Sequence, residues 1–363
     1  MGTRLLLAFG LLAGLFCAEK LQAKEGEMPS AKTYHADSRW GVSLYADFLW
    51  WNAKGDQLDY GLVTQGTKDV SSSPTREKLT ESFLVYNPKW KPGARVGFRK
   101  DFCHQGLGAF AEWTWYHTSD NETTKLTRTD DPNAFLTFNS NFIGGVGGSQ
   151  TSLLGFETGN IEASFRFLMQ RIDAGFYKKF SYKDSLLFRP YAAFTYAYLR
   201  ENMSLHADFS SPTQGSFFET DRLRIKTKLS GYGLKLGAVG DWKLFPYFSF
   251  YTEASLTGIL GGFDLNKKFF IEEGGTVSSL SEPVSSCFSD SQTRLIAQIH
   301  LSLRCEVPFY RCYKFIGQVG WEQQVLFDQT NWMVRSGQVA TLGNVAAANL
   351  YLQGLVARIG FYF

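Results

Sequence analysis

The chain closes with Gly354-Leu355-Val356-Ala357-Arg358-Ile359-Gly360-Phe361-Tyr362-Phe363. Taken two at a time, Leu355, Ala357, Ile359, Phe361 and Phe363 form one apolar face, and Gly354, Val356, Arg358, Gly360 and Tyr362 lie between them. Period two is the signature of an extended strand, whose side chains alternate between faces. Chain ends are usually polar and frayed. A strand this apolar at a terminus fits a transmembrane β-barrel, in which the last strand pairs with the first so that no open edge faces lipid. A buried edge strand of a soluble sandwich is the alternative.

The same alternation runs through the rest of the chain. Val42, Leu44, Ala46, Phe48 and Trp50 oppose Ser43, Tyr45 and Asp47, and Ala94, Val96 and Phe98 oppose Arg95, Gly97 and Arg99. Leu107, Ala109, Ala111, Trp113 and Trp115 oppose Gly108, Glu112 and Thr114. Ile161, Ala163, Phe165, Phe167 and Met169 oppose Glu162, Ser164, Arg166 and Gln170; the apolar parity then switches to Ile172, Ala174 and Phe176. One extra residue makes such a switch, so a β-bulge is expected near Gln170-Arg171. Further strands are expected near 186–200, 225–244, 247–262, 291–306, 312–327 and 346–363.

Short connections near 103–106, 181–185, 245–247 and 307–311 alternate with long ones near 52–91, 118–160, 201–224, 263–290 and 328–345. That is the pattern of short periplasmic turns and long external loops. The fold expected is all-β, an antiparallel transmembrane barrel of about ten strands. Twelve result if a long loop hides a hairpin, with Gln57 to Thr64 the best extra strand.

The other end agrees. Arg4, the apolar run Leu5 to Ala18 and the small residue Ala23 have the layout of a secretory signal, too short for a spanning helix. The expected organisation is a signal peptide over 1–23, a periplasmic lead-in over 24–39 and the barrel over 40–363, in the outer membrane. Removing Arg4, Glu19 and Lys20 takes the net charge from +3 to +2. No block of basic residues stands out, so nucleic acid is not an expected partner. Aromatics make up 16% of residues, and Trp40, Trp50, Trp51, Trp113, Trp115, Trp242, Trp321, Tyr362 and Phe363 are read as interface girdles.

If the apolar face meets lipid, the opposite face lines the lumen. Its ionisable residues would be Arg95, Arg99, Glu112, Glu162, Arg166, Arg171, Asp173, Lys235, Glu253, Arg294, His300, Arg304, Glu322 and Arg358. Such groups are costly at membrane depth unless paired or wet. They can form a water-filled pore or a packed ionic interior that closes a narrow barrel. The small basic excess suggests a mild preference for anions.

No catalytic set is expected. His300 and Ser302 have the spacing of a lipid-hydrolysing pair but should face the lumen, and Asp120 near His117 only permits a rim acid–histidine site. Gly144 to Gly148 lacks the Lys-Ser/Thr of a phosphate loop. No cofactor is expected, and no histidine has neighbours at metal-ligand spacing. Cys305 and Cys312 flank a short turn, so a disulfide between them is possible in an oxidising compartment.

Two resemblances add to this reading. Phe363, Phe361 and Ile359 resemble the closing signature of bacterial outer-membrane barrels; this implies recognition by the barrel assembly machinery. Asp47-Phe48-Leu49-Trp50-Trp51-Asn52-Ala53-Lys54, followed by Leu58 and Tyr60-Gly61, resembles the first-strand motif of the Legionella-type major outer membrane protein family. Pro92 to Phe98 and Glu112-Trp113-Thr114 are similar to its next hairpin. Gly231 to Gly237 with Asp241-Trp242, then Ala254-Ser255-Leu256, are similar to its later strands. The resemblance implies a pore-forming barrel, a porin passing small solutes and ions, with a non-conducting adhesin or envelope scaffold as the rival. It also implies possible cysteine cross-links to other envelope proteins, and porins are often homo-oligomers.

Overall fold

The computed structural model describes residues 41–55, 58–69, 76–102, 106–127, 134–139, 158–183, 185–211, 217–273, 284–309, 313–333 and 346–363. The expected signal peptide and lead-in, Trp40 and the Gly144–Gly148 run lie outside them.

The strands are β1 Val42–Gly55, β2 Asp59–Asp69, β3 Arg76–Val85, β4 Lys91–Asp101, β5 Leu107–Thr127, β6 Ala134–Asn139, β7 Thr158–Lys178 and β8 Phe180–Tyr182. They continue as β9 Leu186–Ser211, β10 Phe217–Lys243, β11 Phe248–Glu273, β12 Val284–Phe309, β13 Tyr313–Met333 and β14 Ala346–Tyr362. Ten of them form one closed antiparallel ring in the order β10-β11-β12-β13-β14-β1-β4-β5-β7-β9, with β9 paired back to β10. The last strand does pair with the first: Phe361 stands opposite Leu44 and Arg358 opposite Asp47. The extra strand expected near residue 60 exists, but it is β2, in a separate three-stranded sheet with β3 and β6. The barrel wall therefore has ten strands, not twelve.

The wall is much taller than a membrane requires. A spanning strand needs about 9–11 residues, whereas β9, β11 and β12 each run 26. On β10 the outward residues from Tyr232 through Leu234, Leu236 and Ala238 to Trp242 are apolar or aromatic, the length of one crossing. Above them the outward positions become Ser230, Lys228, Lys226, Arg224 and Arg222. On β9 Phe194, Tyr196 and Tyr198 give way to Arg200, Asn202 and Ser204, and the register sets Tyr198 beside Ser230 and Arg200 beside Lys228. The lipid boundary thus crosses neighbouring strands at matching positions. Segments read from the sequence as loops, 201–224 and most of 263–290, are largely continuations of the wall beyond the membrane.

This explains the parity switch on β7, where no bulge exists. Its pairing with β5 and with β9 runs without a register shift through Gln170 and Arg171. Odd-numbered residues point inward along the whole strand: Ile161, Phe165, Phe167 and Met169 are buried, and so are Arg171 and Asp173. The solvent outside changes instead. Below the boundary the exterior is lipid and the interior largely polar; above it the exterior is water and the interior largely apolar, with a few buried polar groups such as Asp120, Glu201 and Arg294. Each half obeys the same burial rule, so the apolar face inverts while the backbone stays regular.

The upper interior is an apolar core. Phe165, Phe167, Met169, Leu199, Leu205, Ile225, Leu229, Ile259, Phe263, Leu350 and Leu352 pack together, and Leu58, Val63 and Tyr86 from the segment between β1 and β4 join them. Tyr86 lies 5.8 Å from the Phe165 ring, and its hydroxyl donates to the Ser204 carbonyl at 3.3 Å. The Asn87 N–H donates to Asp120 at 3.1 Å. The long segment between β1 and β4 is thereby tied into the barrel's upper end.

The aromatic bands follow the boundary. Trp50, Trp113, Trp321 and Tyr232 are exposed at its upper edge, and Trp242, Phe248, Tyr313 and Phe361 at its lower edge. Trp51 does not belong to them. It is one residue out of phase, fully buried, and packs on Tyr116 at 5.4 Å. Cys305 is a free thiol paired in register with Gly317; Cys312, its expected disulfide partner, lies outside the described residues.

Candidate functional site: the charged barrel interior

Within the membrane zone the alternation that puts apolar residues on lipid puts ionisable ones inside. At the β1–β14 seam, Arg358 grips Asp47 with two bonds, Nε to Oδ1 at 2.6 Å and Nη2 to Oδ2 at 2.8 Å. Arg95 on β4 reaches the same carboxylate at 3.4 Å, and its two terminal nitrogens donate to both oxygens of Glu322 on β13 at 2.8 and 2.7 Å. Its Nε lies 3.5 Å from Glu112 and donates to Thr114 at 3.2 Å. Tyr45 donates to Glu112 at 2.7 Å, and Arg358 stacks 4.1 Å over the Tyr45 ring. Forked, charge-assisted bonds of this kind are the strong ones.

The opposite wall carries a second group. Lys235 and Thr195 donate to Asp173 at 2.9 and 2.8 Å, and Arg171 lies 3.2 Å from it. Arg171 also crosses the lumen, donating to Gln298 at 3.0 Å and to Gln324 at 3.4 Å. His300 is fully buried, with Nδ1 4.0 Å from Glu322 and its ring against Tyr251 at 5.5 Å. Tyr191 and Tyr251 both donate to Glu253 at 2.7 Å.

Glycines make this packing possible. A methyl added at Gly97, Gly108 or Gly237 would collide with the ring of Tyr45, Tyr177 or Tyr191 respectively. Each tyrosine lies flat over a bare stretch of neighbouring backbone, an arrangement that also holds strand register.

Towards the lower mouth the interior opens. A vestibule of about 90 Å³ is lined by Arg99, Arg189, Arg304, Lys179, Asp101 and Asp241, among others. Arg304 bridges Asp241 at 2.8 Å and Glu306 at 2.6 Å, and Lys179 bridges Asp101 at 2.5 Å. Arg189 is buried here, and its Nε and one terminal nitrogen have no hydrogen-bond partner.

Twelve of the fourteen lumen residues expected from sequence face inward on the strand pattern just described. Glu162 and Arg166 do not. They sit above the boundary on β7, where the polar face is the outer one. Arg294 is inward but higher, beside the apolar core, its guanidinium 5.2 Å over Phe263. Sequence reasoning by charge alone passed over Gln298, Gln324, Tyr45, Tyr191 and Tyr251, although their parity matches the charged residues. His117 and Asp120 point to opposite faces: Asp120 is buried inside and His117 is exposed outside.

A closed ten-stranded barrel with an apolar belt, aromatic rims and an ionic interior defines an outer-membrane protein of the β-barrel class. The chain belongs to a particular family within that class. The family model described as Legionella pneumophila major outer membrane protein precursor matches residues 35–363. No curated protein matches the chain. Among solved structures, the Escherichia coli outer membrane protease OmpT is 8% identical, with a TM-score of 0.41, covering 92% of this chain and 99% of that one. The Pseudomonas putida toluene transporter TodX is 10% identical, with a TM-score of 0.24 and 89% of each chain covered. At these values neither relative's activity carries over.

Proposed function

We propose that this chain is a porin through which small ions and solutes diffuse, without chemistry and without a cofactor. The observation that supports this reading is the charged vestibule around Arg99, Arg189 and Arg304 at the lower mouth, whose lining is what a wet path would need. Ionisable groups this deep are tolerated where they pair or line a wet path. The family resemblance to pore-forming barrels points the same way. In the state described the path is narrow, because Arg171 spans it to Gln298 and Gln324; conduction requires those side chains to part. The cationic excess at the vestibule favours anions.

The apolar core above the boundary favours a second reading, a non-conducting surface barrel that displays its external segments. Planar-bilayer recording of the refolded barrel in a salt gradient separates the two. Discrete, stable conductance steps support the porin. A folded, heat-modifiable barrel that gives no steps supports the scaffold or adhesin and removes the porin.

A further inference from the structure

The outward face of β10 above the membrane carries a cation at four successive outward positions, Arg222, Arg224, Lys226 and Lys228. The register adds more on both sides. Lys228 stands beside Arg200 of β9, and Arg224 beside Lys268 of β11. Three of the column, together with Arg200 and Lys268, are exposed, and Lys226 is half-exposed. Same-face neighbours along a strand lie about 7 Å apart and adjacent strands about 4.8 Å apart. Like charges at such spacing repel.

The carboxylates nearest the column are Asp264, which stands directly opposite Lys228 in register, and Asp208. Asp208 accepts from Thr220 at 2.8 Å and lies 3.0 Å from His206, and Asp264 accepts from Ser289 at 2.8 Å. The base of the column rests on the aromatic band. Lys228 sits 5.9 Å from the Tyr198 ring centre, and Tyr232, the second outward residue below Lys228, is exposed and stacked on Phe194 at 5.7 Å.

We propose that this face binds the phosphorylated headgroup of an outer-leaflet glycolipid. The position selects the ligand. The column begins where the lipid-facing aromatics end and rises roughly 20 Å along the strand, so an anion bound there is held against the membrane surface. Several cations in a line match several phosphates on one extended headgroup better than a single small anion. Arg224 supplies a forked guanidinium donor suited to phosphate, beside the ammonium groups of Lys226, Lys228 and Lys268. Repulsion within the column is relieved when phosphates enter it. The inference does not depend on whether the lumen conducts.

The test uses the refolded full chain in phosphatidylcholine vesicles with and without bisphosphorylated lipopolysaccharide, reading retained glycolipid and the heat-modification midpoint. The wild type should retain the glycolipid and melt higher with it. R224E/K226E/K228E should bind at least tenfold more weakly and lose most of the rise, whereas K54E/K125E, outward on other strands, should keep both. If the reversed variant misfolds, R224Q/K226Q/K228Q replaces it, and raising salt on the wild type should abolish the rise. Equal retention by wild type and column variants overturns the proposal. So does an equal rise with dephosphorylated glycolipid, or binding of soluble heparin with no glycolipid effect.

Discussion

Arg171 on β7 and Gln324 on β13 stand five strands apart in a ring of ten, yet their side chains meet at 3.4 Å. A contact between diametrically opposite strands means that one arginine bridges the bore at that level. Replacing it with alanine removes the bridge while leaving Asp173 its bonds from Lys235 and Thr195. Arg171→Ala should raise single-channel conductance severalfold with little change in selectivity. Unchanged step size in planar bilayers would place the constriction elsewhere.

Selectivity should follow the inward cations only. Arg99 lines the vestibule, whereas Arg166 stands on the outer wall above the membrane. Under a salt gradient Arg99→Glu should move the reversal potential toward cations, and Arg166→Glu should leave it where it is. A shift of equal size from Arg166→Glu would contradict the placement of β7's upper half.

The depth of the lipid zone can be read thermodynamically. Leu236 is 62% exposed and central in the apolar outer stretch of β10. Leu236→Arg should cost about 2–4 kcal/mol, the value for a cation at the bilayer midplane. Lys226→Leu, ten residues higher on the same face, should cost less than about 0.5 kcal/mol. Urea titration of the reconstituted barrel measures both.

Gly97 has a packing role. Its missing side chain is the space in which the Tyr45 ring lies while the hydroxyl reaches Glu112. Gly97→Ala should destabilise by about 1–3 kcal/mol through overpacking, and Tyr45→Ala in the same chain should recover part of that loss. Additive losses in a double-mutant cycle would show that the two do not act together.

The lower half of the barrel was legible in the sequence because one rule, apolar out and polar in, governs it from Val42 to Phe361. Ring closure, strand number and most lumen residues follow from that rule. The upper half was not legible because the same rule acts there with water outside. Ile161 to Met169 look like a lipid face in a one-dimensional scan, and their change of parity at Gln170 imitates a bulge. Alternation also hid the basic column. In Arg222-Leu223-Arg224-Ile225-Lys226-Thr227-Lys228 the cations are interleaved with inward residues, so they form no block until the strand is drawn. Cross-barrel partners such as Arg171 and Gln298 are set by strand tilt and ring size, which no local pattern contains.

The seam between β14 and β1 carries a consequence in time. Val42 and Phe363 exchange backbone hydrogen bonds, Val42 N–H to the Phe363 carbonyl at 3.2 Å and Phe363 N–H to the Val42 carbonyl at 2.7 Å. Among the described residues no pairing in the ring joins positions more distant along the chain, and closing so large a loop is slow. Until β14 arrives, β1 and whichever strand was laid down last both present unpaired edges, the form of the protein most open to aggregation and wrong pairing. The ring therefore becomes safe only in its final step, and the lifetime of the open sheet governs how much chain reaches the folded state.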